Sequence, residues 1–303
     1  MSPVIAVVGA GAVGGYYGAR LAQHGNSVHF LMRSGLEEAR ARGFVVQSPD
    51  GDFRIPPQEL HIYSDPTRMP KADLVLVTLK ATANDLYEPL IRPLVSETTQ
   101  ILTLQNGLGN EDQLAKLFGG GRILGGLAFV CINRLEDGTI RHLDHGHIKI
   151  GEFSGPPTGQ THRIARMFCD SQIRCEVLDD LRFGRWEKLV WNIPFNCLGA
   201  LLNKTTDKLI GSENGIALLR RLMAEVIAAA AAQGIILPPD LPDRKILETQ
   251  SMGAYRTSMQ IDKQLGRPLE IEAILGRPLA AARNSGIATP YLEMLYALST
   301  LPG

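Results

Sequence analysis

The opening stretch, MSPVIAVVGAGAVGGYYGARLAQHGNSVHFLMR, limits the possible folds more than any other part of the chain. Ile5 to Val8 is a short, wholly apolar run, the pattern of a strand buried on both faces. Gly9, Gly11 and Gly14 follow at GxGxxG spacing as an amphipathic helical pattern begins and runs through His24. Gly25 is placed to end that helix, and Ser27 to Met32 reads as the next strand. Strand, glycine turn, helix and strand in this order form a βαβ unit suited to a dinucleotide. The first glycine permits a tight turn, the second lets the backbone approach a pyrophosphate, and the third lets helix and strand pack closely. The free N–H groups at the helix start then face the anion. Gly9, Ala10, Gly11, Ala12, Val13 and Gly14 are therefore the expected cofactor contacts, set against a glycine turn of purely steric origin. Where the second strand ends, NAD-binding folds usually carry an acid for the ribose 2′-hydroxyl, but this chain has Arg33. A guanidinium matches a 2′-phosphate and offers no acceptor to that hydroxyl, which favours NADP over NAD; the alternative is a solvated surface arginine.

The rest of the chain extends the alternation and then abandons it. Strand-like runs recur at Asp73 to Leu79, Gln100 to Leu104 and Ile123 to Ile132, with helix-like segments between them. That pattern predicts an α/β fold with a parallel, doubly wound sheet. FVVQSPDGDFRI, from Phe44 to Ile55, reads as a hairpin inserted at the sheet edge, and Gly138 to His142 and Ile148 to Phe153 as closing strands. Gly119 to Gly121 ends a helix and turns the chain. From about Leu181 strands vanish and long helical patterns dominate, punctuated at Pro238, Pro239 and Pro242 and again at Gly266 to Pro268. The expected organisation is an N-terminal Rossmann-type domain over residues 1–180 and an all-helical C-terminal domain over 181–303.

Bulk composition removes several function classes. Lysine plus arginine and aspartate plus glutamate balance at 31 each, so nothing points to a nucleic-acid or membrane-surface partner. Cys131, Cys169, Cys175 and Cys197 form neither a CxxC nor a framework spacing, as in a reduced cytoplasmic protein. The N-terminus has no basic region and runs at once into the glycine motif, unlike a signal peptide. Val226 to Leu237, the most apolar later stretch, is too short to span a bilayer and reads as core. Within it, the Ala228 to Ala232 run favours helix and close helix contact.

The helix RWEKLVWNIPFNCLGALLN carries the most chemical information. At 100° per residue Lys188, Asn192, Asn196 and Asn203 fall within about an 80° sector of an otherwise apolar surface. Such a helix is buried, and its polar stripe needs partners, because an unpaired buried amide costs roughly 1–3 kcal/mol. Internal hydrogen bonding and the wall of a ligand cleft are the two readings. Pro194 removes one helical hydrogen bond and suggests a kink beside the stripe. In SMQIDKQLGRPLEIEAILG, Ser258 and Asp262 share a helical face, and Glu270 stands just inside a helix restarted near Pro268. Asn106 in LTLQNGLG and Lys80 in LVLVTLKA lie at the carboxyl ends of expected strands, where open α/β sheets bind ligands or where a polar residue merely caps a strand. RHLDHGHIKIG puts His145 and His147 on one face of a regular strand with His142 on the other, too few ligands for a metal. A serine hydrolase is disfavoured because no GxSxG elbow is present.

Taken together, GAGAVGG, VTLKA around Lys80, QNGLGN around Asn106, WEKLVWNIPFN around Lys188, and SMQID followed by GRPLEIEAILG make the chain resemble ketopantoate reductases (2-dehydropantoate 2-reductases) over essentially its whole length. The resemblance implies a Rossmann domain followed by a helical domain, with NADPH and substrate in the cleft between them. It implies NADPH-dependent reduction of ketopantoate to (R)-pantoate in pantothenate biosynthesis. The cofactor would contact Gly9 to Gly14, with its 2′-phosphate at Arg33 and the remainder along Lys80, Asn106, the Cys131 backbone and Glu270. Lys188 would protonate the developing alkoxide, with Asn106 and Glu270 completing the catalytic set. Asn106, Lys188, Asn192, Asn196 and Ser258 would bind the substrate. No metal is implied, and a homodimer is compatible with the resemblance. Two positions depart from the family pattern: Leu275-Gly276 replaces Asn-Gly, and Thr206 stands where a further asparagine is expected. Both bear on the pocket and leave the reductive centre intact. The alternatives are a related NADP-dependent 2-oxo acid or 2-hydroxy acid oxidoreductase, and a non-catalytic NADP(H)-binding sensor.

Overall fold

The structure, a computed structural model, describes residues 2–301 and divides the chain into two compact units. The first runs to Gln105 and resumes at Asn110–Leu181; the second comprises Asn106–Gly109 and everything from Arg182 onward.

In the first unit the described strands are β1 (Val4–Val8), β2 (Ser27–Leu31), β3 (Phe44–Gln47), β4 (Phe53–Ile55), β5 (His61–Tyr63), β6 (Leu74–Val77), β7 (Gln100–Thr103), β8 (Ile123–Arg134), β9 (Ile140–Glu152) and β10 (Cys175–Val177). They form one sheet in the order β4-β3-β9-β8-β7-β6-β1-β2-β5, with β10 paired to β9. The run β5-β2-β1-β6-β7-β8 is parallel throughout, which is the Rossmann order. Period-two alternation explains why these strands read as continuous apolar runs. Ile5 and Val7 enter one core with Leu74 and Leu76, while Ala6 and Val8 enter the opposite core with Val75 and Val77. The helices of this unit are α1 (Ala12–Gln23), α2 (Leu36–Arg42), α3 (Tyr87–Ile91), α4 (Asn110–Phe118) and α5 (Gly159–Asp170).

The hairpin expected over Phe44 to Ile55 forms at the sheet edge as β3 and β4. The two closing strands expected around His142 and Ile148 are instead one continuous strand, β9, antiparallel to β8. Register shifts opposite Phe129/Val130 and Cys131/Ile132 leave Gly146 and Leu143 as the extra residues of two bulges, with His145 at φ 64° and Gly146 at φ 108°. His142 is consequently buried, with Nδ1 2.8 Å from the Ser48 hydroxyl and Nε2 3.0 Å from the Asp144 carbonyl oxygen.

The second unit is helical: α6 (Leu181–Leu202, entered from the last residue of the first unit), α7 (Thr206–Ile210), α8 (Glu213–Ala232), α9 (Leu241–Gln250), α10 (Ser258–Gln264), a π-helical turn (Glu272–Gly276) leading into α11 (Arg277–Asn284), and α12 (Pro290–Thr300). Its core joins Leu189, Val190, Ile193 and Cys197 of α6 to Leu219, Leu222 and Val226 of α8 and Ile274, Leu275 and Leu279. Ala229 and Ala230 are fully buried, the close contact their small side chains permit. Among the described residues no helix is long and apolar enough to cross a membrane. Helix α6 runs through Pro194 to Leu202. Asn203 is therefore not part of its polar stripe. It lies beyond the helix end in the left-handed region at φ 52°, where asparagine is tolerated, and accepts hydrogen bonds from Gln260 (3.2 Å) and Gln264 (2.6 Å) of α10.

Candidate functional site

The glycine turn sits between β1 and α1, at the point where the parallel order reverses between β1 and β6. Gly9 adopts φ +100°, and a Cβ there would lie 2.8 Å from the Leu79 backbone nitrogen. A Cβ on Gly14 would collide with the Thr78 hydroxyl, which itself donates to the Gly9 carbonyl at 2.8 Å. Space for a side chain is absent because helix, turn and the end of β6 are in contact. Helix α1 begins after Gly11 with no side-chain cap and no acidic residue in its first turn, so its leading N–H groups remain available. This backbone cradle fits a pyrophosphate.

Around it, Arg33 follows β2, is exposed, and makes no hydrogen bond or ion pair among the described residues. Lys80 is exposed at the start of the turn that follows β6. Cys131 is buried on β8, opposite Asp144 and beside the bulge. A buried polar chain occupies the carboxyl end of β7: Tyr87 donates to Gln105 Oε1 (2.5 Å), Gln105 Nε2 to Asn84 Oδ1 (2.9 Å), and Asn84 Nδ2 to Asn110 Oδ1 (2.9 Å). It fixes Gln105 and Asn110, the two residues that flank the Asn106–Gly109 excursion.

That excursion is built into the helical unit. Leu108 N–H donates to the Ala273 carbonyl at 2.8 Å. Gly107 adopts φ +87° against the Ala273 backbone, where any side chain would collide. The carbonyl it meets belongs to the π-helical turn, which begins after Glu270 and breaks the regular i→i−4 ladder. Asn106 is thereby held where its Oδ1 accepts a 3.0 Å hydrogen bond from Lys188 Nζ.

Lys188 is the electrostatic centre of this unit. Burial pulls its pKa down from 10.5 to about 7; the neighbouring Arg185 guanidinium acts in the same direction and the Glu270 carboxylate opposes both. Arg185 is 5% exposed and Glu270 6% exposed. One and two turns further along α6, Asn192 and Asn196 are also buried. Asn196 Oδ1 receives a long, 3.5 Å contact from the Ser258 hydroxyl, and the Asn192 amide has no side-chain hydrogen bond among the described residues. Asp262, on the same helix as Ser258, faces Arg267 at 3.7 Å. A half-buried ammonium poised near neutrality, with an acceptor holding it and amides along the same helix, is equipped to donate a proton to a polar substrate.

The structure thus brings Lys188 and Asn106 into direct contact, places Glu270 and Arg185 within electrostatic reach, and joins Asn196 to Ser258. Sequence reasoning missed Arg185, although its position one helical turn before Lys188 on a buried helix was a usable signal. It also missed Gln260, 2% exposed, whose Oε1 has no hydrogen-bond partner among the described residues and which no local pattern marks. Among the described residues no group of three His, Cys, Asp or Glu side chains is arranged to hold a metal ion.

Comparison with known proteins places this geometry in a lineage. Residues 5–155 match the family described as Ketopantoate reductase PanE/ApbA, and residues 180–301 match Ketopantoate reductase PanE/ApbA C terminal. The chain belongs to the ketopantoate reductase family. It is 43% identical to a 2-dehydropantoate 2-reductase of Nostoc sp. over 296 residues, covering 96% of this chain and 92% of that one. The crystal structure of a 2-dehydropantoate 2-reductase from Geobacter metallireducens superposes with a TM-score of 0.95 at 49% identity, covering 98% of each chain. One from Methylococcus capsulatus gives a TM-score of 0.88 at 31% identity over 99% of this chain and 98% of that one. The α/β sheet followed by a helical region is therefore the family fold, and the chain is an oxidoreductase of that family.

Proposed function

We propose that this protein reduces 2-dehydropantoate (ketopantoate) to (R)-pantoate with NADPH, in pantothenate biosynthesis. The observation that carries the proposal is Lys188, an ammonium lowered to about 7 by burial and hydrogen-bonded to Asn106 on a largely apolar helix. Residues 1–180 form the NADP-binding part and 181–303 the substrate and catalytic part. The backbone from Gly9 to Gly14 holds the pyrophosphate, Arg33 the 2′-phosphate, and Lys80, Asn106, Cys131 and Glu270 the remaining polar groups of the cofactor. When bound, the reduced nicotinamide supplies the hydride that adds to the C2 ketone carbon.

Lys188 then gives its Nζ proton to the C2 oxygen, which would otherwise carry the negative charge, and is left neutral until it takes a proton from water. Before that step its positive charge polarises the ketone. Asn106 fixes the ammonium by accepting one of its N–H bonds. Glu270 keeps the lysine protonated in a setting whose burial and neighbouring arginine work against it. Asn192, Asn196 and Ser258 take the substrate carboxylate and hydroxyl as neutral groups, adding no further full charge beside the lysine. The enzyme acts on a small-molecule 2-oxo acid in the cytoplasm.

The test is NADPH oxidation measured across ketopantoate and a panel of other 2-oxo acids. The proposal requires ketopantoate to show the highest kcat/KM. A different 2-oxo acid in first place would make this a related reductase, and NADPH binding with no turnover of any member would make it a sensor.

A further inference from the structure

Arg134, at the end of β8, has no role in the reaction described above, yet its surroundings are unusual for a cation. Its side chain is half-buried, and Nη1 donates to the Ala10 carbonyl at 2.5 Å, inside the glycine turn. Nη2 lies 2.8 Å from where a Cβ on Gly35 would stand, so the guanidinium also abuts the turn between β2 and α2. Its carbon sits 5.8 Å from the centre of the Phe44 ring. Among the described residues it forms no ion pair; Glu38, in the first turn of α2, exerts only a longer-range pull. A guanidinium carries five donors, and this one has a single neutral acceptor in contact. A partly desolvated cation without a counter-ion is costly, and an anion beside it relieves that cost.

The two turns that Arg134 touches are those that meet the phosphates of a dinucleotide in this kind of sheet. The turn after β1 meets the pyrophosphate, and the residues after β2 meet the adenosine ribose. Arg33 stands two residues before Gly35 in the second of them. We propose that Arg134 is a second phosphate-recognising cation, which ties the glycine turn to the adenosine turn and binds the 2′-phosphate of NADPH together with Arg33. This rests on the reading of the cofactor as NADP and assigns a residue that sequence reasoning did not mark. A planar fork serves here better than a lysine, because one edge holds the Ala10 carbonyl while the other remains free for phosphate oxygens.

The experiment measures binding, not turnover. Dissociation constants for 2′,5′-ADP and for ADP, which lacks the 2′-phosphate, are determined calorimetrically on the wild-type protein, Arg134→Gln and Arg134→Lys. The glutamine variant is expected to bind 2′,5′-ADP about tenfold more weakly, the lower bound for loss of a charge-assisted contact, while ADP affinity changes less than about threefold. The lysine variant, which keeps charge but loses the fork, is expected between the two. If the wild type prefers 2′,5′-ADP and Arg134→Gln keeps the full preference, or loses both ligands equally, the inference is overturned and the NADP reading stands. If the wild type shows no preference, the NADP reading itself falls and takes the inference with it. Should Arg134→Gln fail to fold, Arg134→Lys carries the same comparison, and failure of both to fold would make Arg134 a purely structural residue and overturn the proposal.

Discussion

The glycine turn and the surroundings of Lys188 solve opposite problems. In the proposed reaction the turn recognises an anion by what it lacks: a Cβ on Gly14 would strike Thr78, and one on Gly9 would approach the backbone at Leu79, so bare N–H groups are left to face the ligand. The proposed lysine site works by what it accumulates. Lys188, Arg185, Glu270, Asn192 and Asn196 are held on or beside α6, most of them at a few per cent exposure. Backbone recognition is indifferent to protonation and needs only steric room. Side-chain recognition depends on charge, and the low-dielectric setting that makes it strong also makes it sensitive to pH and to each neighbour.

Four measurements would break or sharpen that contrast. The largest effect is expected from Lys188→Ala, which should lower turnover about 10²- to 10⁴-fold, the usual worth of a general acid, while calorimetry still detects NADPH binding. Unchanged ketone reduction would remove the lysine from the chemistry. Arg33→Ala should weaken NADPH by about 1.5–3 kcal/mol and leave NADH nearly untouched; equal losses for both nucleotides would refute the 2′-phosphate assignment. Gly14→Ala should act on the opposite site, costing about 1–3 kcal/mol of stability or nucleotide affinity through overpacking, with the pH dependence of turnover unmoved. A shifted pH profile in that variant would show that the two sites are not separable in the way proposed.

The smallest and most diagnostic effect concerns pH. Because the Lys188 pKa is lowered to about 7, the protonated acid is fully present below that value, and ketone reduction should fall as pH rises through it. The reverse oxidation, which needs the neutral amine, should rise over the same range. Arg185→Gln removes a charge that pushes the lysine down, so the midpoint should move to higher pH; an absent shift would mean that burial and Glu270 alone set it, and a downward one would overturn the role given to Arg185.

Sequence patterns revealed what is local. The β1-α1-β2 unit was legible because apolar runs, helical period and glycine spacing all lie within a few dozen residues of one another. The stripe of Lys188, Asn192 and Asn196 was legible because polar residues on an apolar helix need a reason to be there. Features that depend on distant partners were not. β5 and β10, three residues each, are strands only because β2 and β9 offer them edges. Asn203 looks like a fourth member of the stripe until the helix is seen to end at Leu202. Arg134 resembles any surface arginine until the fold sets it against Ala10, more than a hundred residues earlier in the chain.

The tetrapeptide from Asn106 to Gly109 also governs how the gene can be dissected. A cut at residue 181 looks natural, yet a fragment beginning at Arg182 would lack Leu108, which packs into its apolar interior, and the amide that grips its lysine. Anyone wishing to study the helical part in isolation would have to graft those residues back in, since the polypeptide lends them to it from far upstream.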